Sequence, residues 1–310
     1  GRLVFDSEPE FYQCFQKCCY KPNGDIHYTG IASPSIYNAC GGLHFGTWQD
    51  CPSEPLHGTF GASDAEMSMD PHVKKFNGEW YDYQGECDLV LVSSPDFHKG
   101  LSLRIHVRTT IRYNYSFIES AAVQIGDEVV QMDSWGQYWL DSIQNADTSA
   151  ATIHGSITYD ERADQKQFAL TIQLNAEEKI VLSSFKDFVN VKIHVGDLGS
   201  TGGLMGDPVT GKSLARDGTT VLDDADAFGQ EWQVLASEPM LFQTERLPKA
   251  PQKCRLPEPG VASAKAARLG SSIALDMAEK ACTNWTQNRD GCIHDVMATG
   301  DLELAQLAAF

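Results

Sequence analysis

Residues 101–108 read LSLRIHVR, in which apolar and polar side chains alternate without a break. A period of two is typical of a β-strand that has one face against a core and the other toward solvent. Other short β-prone runs surround this stretch, at residues 80–83, 89–92, 111–115, 121–125, 128–132, 156–159, 168–174, 179–182 and 189–195. The runs 126–127 and 175–177 have the composition of hairpin turns. Many short strands with frequent turns predict a mainly β fold, a sandwich of antiparallel sheets.

Two segments of different composition flank this β-prone region. Residues 1–60 hold five of the nine cysteines and lack a helical period, which predicts a small cysteine-rich N-terminal module stapled by disulfides. Residues 61–256 form the predicted β domain. After a proline-rich linker, apolar side chains recur at helical spacing between Ala262 and Ala281, which predicts a small helical C-terminal module over 257–310.

The charge of the chain narrows the classes of partner. The formal net charge is −18, which would repel phosphate backbones, so nucleic acid is not an expected partner. The sequence has no apolar run long enough to cross a bilayer as a helix. An acidic surface attracts divalent cations, although a solvated surface explains the same charge without any ion.

Cysteines and glycosylation sequons indicate a secretory route. Nine cysteines are present without a CxxC pair, so the signatures of zinc ribbons and thioredoxins are missing. Asn114 and Asn284 each begin an Asn-x-Ser/Thr sequon, which predicts two glycosylation sites. Because nine is odd, at least one cysteine is free or bonded to another molecule. We therefore expect a secreted, extracellular or cell-surface glycoprotein.

Three motifs follow one another along the β-prone region. The first comprises Met69-Asp70-Pro71-His72, FNG at 76–78 and YDYQGEC at 81–87. The second is GLMGDP at 203–208, and the third is FGQEW at 228–232. In order and spacing they resemble the opening, the middle loop and the closing segment of the von Willebrand factor type D domain family. The resemblance covers roughly residues 66–254 and implies a sandwich-type D domain.

The resemblance also implies disulfide pairs. The family usually has two cysteines in the middle loop and one before the opening motif, and this chain lacks all three. The remaining bridge of the family pattern carries over to Cys87 and Cys254. The tail from Cys282 to Cys292 looks like the short cysteine-containing helical segment that follows such domains in some secreted proteins, with these two cysteines as its staple.

A calcium ion is often bound in this family between the opening aspartate and the middle loop. The resemblance implies Asp70 and Asp207 as ligands and Asp217 as a distal carboxylate. Val209 stands where a side-chain oxygen is often found, so Thr210 or a backbone carbonyl would have to replace it. Calcium prefers six to eight hard oxygens. The alternative is that Asp207 and Asp217 are only turn residues.

Some family members cleave themselves at the Asp-Pro bond of the opening motif. Asp70, Pro71 and His72 are present here, but Met69 replaces the usual glycine. We therefore favour the structural interpretation, in which this segment is a turn and His72 is hydrogen-bonded locally.

The sequence does not predict an enzyme. It contains no GxSxG, HExxH or P-loop signature. His106 and His194 lie in strand patterns, where histidines are more often packed or at the surface than ligands. D domains commonly serve assembly and adhesion. The resemblance thus implies an extracellular structural or adhesive protein that forms a matrix, a cell-surface layer or a filament, with itself or with other extracellular glycoproteins.

Two other functions remain open at this point. One is a monomeric secreted binding or carrier module for a protein or lipid ligand, since D domains also occur in secreted carriers. A large apolar pocket would favour it. The other is a secreted enzyme that carries a D domain as a scaffold. A cleft with converging titratable groups would favour that.

Overall fold

The computed structural model of the chain divides into two compact units, Gly1–Phe60 and Gly61–Phe310. It describes residues 13–15, 18–20, 63–68, 71–98, 100–112, 115–150, 154–162, 166–186, 188–247, 253–258, 275–285 and 289–309. In the first unit, strands β1 (Gln13–Phe15) and β2 (Cys18–Tyr20) pair antiparallel, with Cys14 opposite Cys19. The predicted helical segment, where it is described, belongs to the second unit together with the β-sheets.

The second unit is mainly β, as the sequence predicts. Its strands are β3 (Ser63–Ser68), β4 (His72–Lys74), β5 (Trp80–Asp82), β6 (Asp88–Phe97), β7 (Leu101–Arg112), β8 (Tyr115–Ile125), β9 (Glu128–Asp133), β10 (Tyr138–Leu140), β11 (Ile143–Gln144), β12 (Ser156–Arg162), β13 (Gln167–Gln173), β14 (Lys179–Phe185) and β15 (Phe188–Val195). One antiparallel sheet has six strands in the order β11-β10-β9-β8-β7-β6, and the other has seven in the order β12-β13-β14-β15-β3-β4-β5. The predicted antiparallel sandwich is therefore confirmed.

The helices lie after the strands. They are α1 (Ala225–Glu231), α2 (Leu275–Ala281) and α3 (Arg289–Thr299), with 3-10 turns at Thr148–Ala150, Cys282–Asn284 and Leu302–Ala309. Helix α1 begins after Asp224, whose side chain accepts a hydrogen bond from the amide of Ala227 at 2.7 Å, as an N-cap does. Of the predicted helix between 262 and 281, residues 262–274 lie outside the described residues. None of the described helices combines the length and the apolar composition needed to span a membrane.

The main apolar core lies between the two sheets. Leu103, Ile105 and Val107, the apolar side chains of β7, are fully buried in it together with residues of the seven-stranded sheet such as Leu182. A second apolar cluster packs the C-terminal helices against strands β8, β14 and β15. Its members are Phe117, Phe185, Phe188, Ala278, Cys282, Cys292, Val296, Leu304 and Ala305. Burial on this scale provides most of the favourable free energy of folding.

The polar face of β7 departs from the prediction of a half-buried strand. His106 and Arg108 are buried, with 1% and 8% of their surface exposed. The segment after α1 covers them: Arg108 donates a hydrogen bond to the carbonyl oxygen of Thr244 at 2.9 Å, and its guanidinium lies 4.4 Å from the ring centroid of Phe242. Arg108 also forms a two-pronged ion pair with Asp88 at 2.8 Å. A distant part of the chain thus turns the expected solvent face into an interior.

The opening and closing motifs meet at the ring of Tyr83, and the middle loop contacts the opening motif. A Cβ atom on Gly85, in the opening motif, would lie 2.3 Å from the side chain of Tyr83. A Cβ atom on Gly229, in the closing motif, would also lie 2.3 Å from that ring. Such a distance is far inside van der Waals contact, so only glycine leaves room for the buried tyrosine. The middle loop contacts the opening motif, because the hydroxyl of Tyr81 donates a hydrogen bond to the carbonyl oxygen of Leu204 at 2.8 Å.

Both predicted disulfides are present. Cys87 and Cys254 are bonded across 167 residues of sequence, and their Cα atoms are 5.3 Å apart. Cys282 and Cys292 close a short loop between α2 and α3, with their Cα atoms 5.9 Å apart. All four cysteines are buried. The first bridge ties the start of β6 to the segment after α1, and the second ties the turn after α2 to α3.

Candidate functional site

Two of the predicted calcium ligands lie in tight turns between β15 and α1. Oδ1 of Asp207 accepts hydrogen bonds from the amide and the hydroxyl of Thr210, at 2.6 and 2.7 Å. Oδ1 of Asp217 accepts hydrogen bonds from the amides of Thr219 and Thr220, both at 2.8 Å, and Oδ2 accepts the Thr220 hydroxyl at 2.6 Å. The hydroxyl and amide hydrogen bonds of Thr220 lower the pKa of Asp217. This geometry is that of aspartates that stabilise turns.

A lysine lies beside the same loop. Nζ of Lys75 is 3.4 Å from the carbonyl oxygen of Gly211 and 3.3 Å from the hydroxyl of Ser213. It also forms an ion pair with Glu79 at 2.6 Å, and the lysine is 9% exposed. A fixed ammonium there competes with a cation for the loop oxygens. Asp70, the first predicted ligand, lies outside the described residues, so calcium binding stays a prediction.

A cleft of about 610 Å³ opens next to this loop. Its lining includes Lys75, Trp80, Thr210, Lys212 and Phe228. Polar surface predominates in its walls, which suits a polar ligand better than a lipid.

One of the two predicted glycosylation sites is described. Asn284 is exposed, in the 3-10 turn that follows α2. A sequon is modified only where its asparagine is accessible, and this position meets that requirement. Asn114 lies outside the described residues.

A buried polar cluster that the sequence does not predict surrounds His72. This histidine is 5% exposed and lies in β4, directly opposite Asp82 of β5. Its Nδ1 is 2.6 Å from Oδ1 of Asp82. On the other side of the ring, Nε2 is 3.4 Å from Oδ2 of Asp295, which is 2% exposed and belongs to α3. The contact with Asp82 joins the neighbouring strands β4 and β5, whereas the contact with Asp295 joins distant parts of the chain.

The two carboxylates control the protonation of His72. Burial on its own would lower the pKa of His72, but the adjacent carboxylates of Asp295 and Asp82 outweigh it and raise the pKa to about 11. In return, His72 lowers the pKa of Asp82, against the effect of burial. Nε2 of His72 makes no hydrogen bond to any described residue, so its attraction to Asp295 at 3.4 Å is electrostatic rather than that of an aligned hydrogen bond.

His294 completes the cluster. Its Nδ1 lies 4.0 Å from Oδ1 of Asp295, and its side chain is about half exposed. Its ring packs edge-on against Tyr115, with the centroids 5.3 Å apart. One ligand atom from each of His72, His294 and Asp295 lies within 4.8 Å of the other two. Within the described residues, this is the one group of three or more His, Cys, Asp or Glu side chains that comes so close.

Sequence reasoning missed this cluster because its members are far apart along the chain. The sequence singles out His72 only as part of the opening motif. His294 and Asp295 are adjacent in the tail, and their spacing does not predict a contact with β4. His72 and Asp295 come together because α3 packs beside the seven-stranded sheet. The hydrophobic period and the composition of the sequence do not specify this packing.

Comparison with known proteins assigns no family to the chain. No model of a known protein family matches it, and no curated protein matches it in sequence. The resemblance to the von Willebrand factor type D domain therefore rests on the three motifs alone and stays a prediction. The mainly β fold and the two disulfides do not depend on it.

Proposed function

We propose that the chain is an extracellular structural or adhesive protein, which assembles into a matrix, a cell-surface layer or a filament. Its partners in this proposal are further copies of itself or other extracellular glycoproteins. The observation that supports the proposal most is the odd number of cysteines left over after the two described disulfides. The two described disulfides use four of the nine cysteines, and the other five all lie within residues 1–60. An odd number cannot pair completely within one chain, so at least one cysteine is available for a bridge to another molecule.

Three further features support an extracellular setting. Buried disulfides such as Cys87–Cys254 persist in oxidising compartments. Asn284 stands exposed in a glycosylation sequon. The resemblance to D domains adds their common role in assembly, and with it a calcium ion held by Asp70, Asp207, Asp217 and Thr210.

The proposal is tested by the mass of the native protein under non-reducing conditions. Light scattering is recorded with calcium, with excess chelator and with reductant. We expect a disulfide-linked assembly that reductant dissolves, since the unpaired cysteine forms the bridge. If chelator alone dissociates the assembly, calcium and not a disulfide holds the interface between its subunits.

Single serine substitutions locate the bridge. Each of Cys14, Cys18, Cys19, Cys40 and Cys51 is replaced in turn, and we expect one substitution to yield a stable monomer. The double variant Cys282→Ser, Cys292→Ser is the matched control, because it removes an internal bridge and leaves the number of N-terminal cysteines odd. A monomer in every condition, with one thiol per chain open to alkylation, contradicts self-assembly.

The second candidate function is a monomeric secreted binding or carrier module. The polar cleft between Lys75 and Phe228 favours it, and its walls suit a segment of a protein rather than a lipid. A monomer in the scattering experiment would make this the leading function.

A further inference from the structure

We propose that His72, His294 and Asp295 bind a divalent transition metal ion of the zinc class, where α3 meets β4. Two imidazoles and a carboxylate are a ligand set that zinc commonly takes in proteins. This site uses none of the four predicted calcium ligands, and it goes beyond the proposed role in assembly.

The spacing of the ligand atoms fits such an ion. Zinc bonds to nitrogen and oxygen of about 2.0–2.1 Å in a tetrahedron place neighbouring ligand atoms about 3.4 Å apart. Nε2 of His72 and Oδ2 of Asp295 are 3.4 Å apart, and Nδ1 of His294 is 4.0 Å from Oδ1 of Asp295. These two distances involve different oxygens of Asp295, and one ligand atom from each of the three residues lies within 4.8 Å of the other two. A small rotation of the half-exposed His294 ring would close the remaining distance.

Two buried atoms of the cluster lack a hydrogen-bond partner among the residues that the structure describes. They are Nε2 of His72 and Oδ1 of Asp295, on side chains that are 5% and 2% exposed. Buried polar groups are nearly always satisfied, and an unsatisfied one calls for an explanation. A cation between these atoms would accept electron pairs from both, and it would compensate the buried charge of Asp295.

Asp82 supplies the outer support that metal-binding histidines usually have. Its Oδ1 lies 2.6 Å from Nδ1 of His72, so it can hold the proton on Nδ1. The other nitrogen, Nε2, then directs its lone pair at the site, as in carboxylate–histidine–zinc arrangements. Asp82 is thus a positioning residue and not a ligand.

The ligand types distinguish the ion from calcium. Calcium prefers six to eight oxygens, whereas imidazole suits zinc, copper and nickel. Three protein ligands leave a fourth tetrahedral position for water. The competing arrangement holds no metal, and in it a protonated His72 forms an ion pair with Asp82 and Asp295.

Isothermal titration with zinc sulfate tests the proposal. The full chain is stripped with chelator, and its free thiols are alkylated so that cysteines bind no metal. We expect one zinc per chain at micromolar affinity or tighter, and no displacement by excess calcium. The spectrum of the cobalt-loaded protein should show nitrogen and oxygen ligation without thiolate charge transfer.

Variants separate the site from non-specific binding. His294→Ala removes a half-exposed ligand and should leave the fold intact, as a thermal melt would verify, while it weakens zinc binding at least tenfold. Asp82→Asn should weaken it by about 10–100-fold, the range typical of outer-shell partners. The matched control is His194→Ala. His194 pairs with Asp64 across neighbouring strands at the same 2.6 Å, but within the described residues it belongs to no group of three ligands.

The outcomes are distinct. A single zinc that His294→Ala loses and His194→Ala keeps supports the site. Absence of stoichiometric zinc in the wild type, or equal affinity in His294→Ala, would overturn it and leave the metal-free ion pair. Neither result depends on whether the chain assembles.

Discussion

Two buried histidines, His72 and His106, show opposite behaviour in similar positions. Each lies in a β-strand of the sandwich, and they are 5% and 1% exposed. The pKa of His72 is raised to about 11, and the pKa of His106 is lowered to about 4. Burial lowers both values, since an interior of low dielectric disfavours the charged ring. The difference therefore comes from the neighbours and not from the depth of burial.

The neighbours of His106 leave it neutral. Burial is the main cause of its low pKa; the charges of Glu238 and Asp88 act against it, and those of Arg104 and Arg216 reinforce it. Among the described residues, no carboxylate is hydrogen-bonded to its ring as Asp82 is to that of His72, and Nδ1 of His106 has no hydrogen-bond partner. The contrast indicates that carboxylates in direct contact with the ring decide its charge.

The largest expected effect comes from removing the charged histidine. His72→Ala leaves Asp295 buried without its positive partner, and breaking a buried pair in this way costs about 3–5 kcal/mol. We expect the free energy of unfolding to fall by that amount at pH 7 in the presence of chelator, as measured by urea denaturation.

The exposed pair His194–Asp64 provides the control for this experiment. The distance between Nδ1 and Oδ1 is again 2.6 Å, but the side chains are 36% and 69% exposed. Exposed ion pairs contribute about 1 kcal/mol or less, so His194→Ala should unfold at nearly the same urea concentration as the wild type. Equal losses in the two variants would contradict the role of burial in this comparison.

Acid should destabilise the protein through His106. Between its folded pKa of about 4 and the ordinary value of 6.5, the unfolded chain binds a proton on His106 that the folded chain does not. Stability is then lost as the pH falls from 6.5 toward 4, by at most about 1.4 kcal/mol per pH unit. His72 does not make the free energy of unfolding depend on pH in this window. Its folded pKa is raised to about 11, so its contribution to stability is fully present below the ordinary pKa of 6.5.

Comparison with His106→Leu isolates this effect from the titration of carboxylates. Unfolding free energies at pH 7, 6 and 5 are measured for both proteins by urea denaturation. The difference between them should change steadily in favour of the variant as the pH falls. A constant difference would mean that His106 takes up a proton as readily in the folded protein as in the unfolded chain, contrary to its burial.

Much of the fold was accessible from local patterns. The period of two over 101–108 and the repeated turns suffice for an antiparallel sandwich, since each depends on only a few neighbouring residues. The family resemblance predicts the pairs Cys87–Cys254 and Cys282–Cys292, and the structure contains both. It also predicts the calcium ligands, which stay a prediction because Asp70 lies outside the described residues.

What the sequence could not reveal depends on contacts between distant segments. The buried face at His106 arises because residues after α1 return to cover β7, and alternation alone assigns that face to solvent. The cluster at His72 arises because α3 brings Asp295 to β4. Period and composition describe one element at a time, so they miss a site that three separate elements build together.

The smallest expected effect concerns the neutral histidine at pH 7. His106→Leu exchanges side chains of similar volume, and such swaps in a packed interior usually cost less than about 1.5 kcal/mol. It also removes Nδ1, a buried nitrogen that has no hydrogen-bond partner in the described part of the chain, and this offsets part of any loss of packing. We expect the melting temperature to stay close to that of the wild type at pH 7. A loss of unfolding free energy as large as that of His72→Ala would mean that His106 forms a polar contact as important as the pair of His72 with Asp295. The two histidines would then differ in charge but not in their contribution to stability.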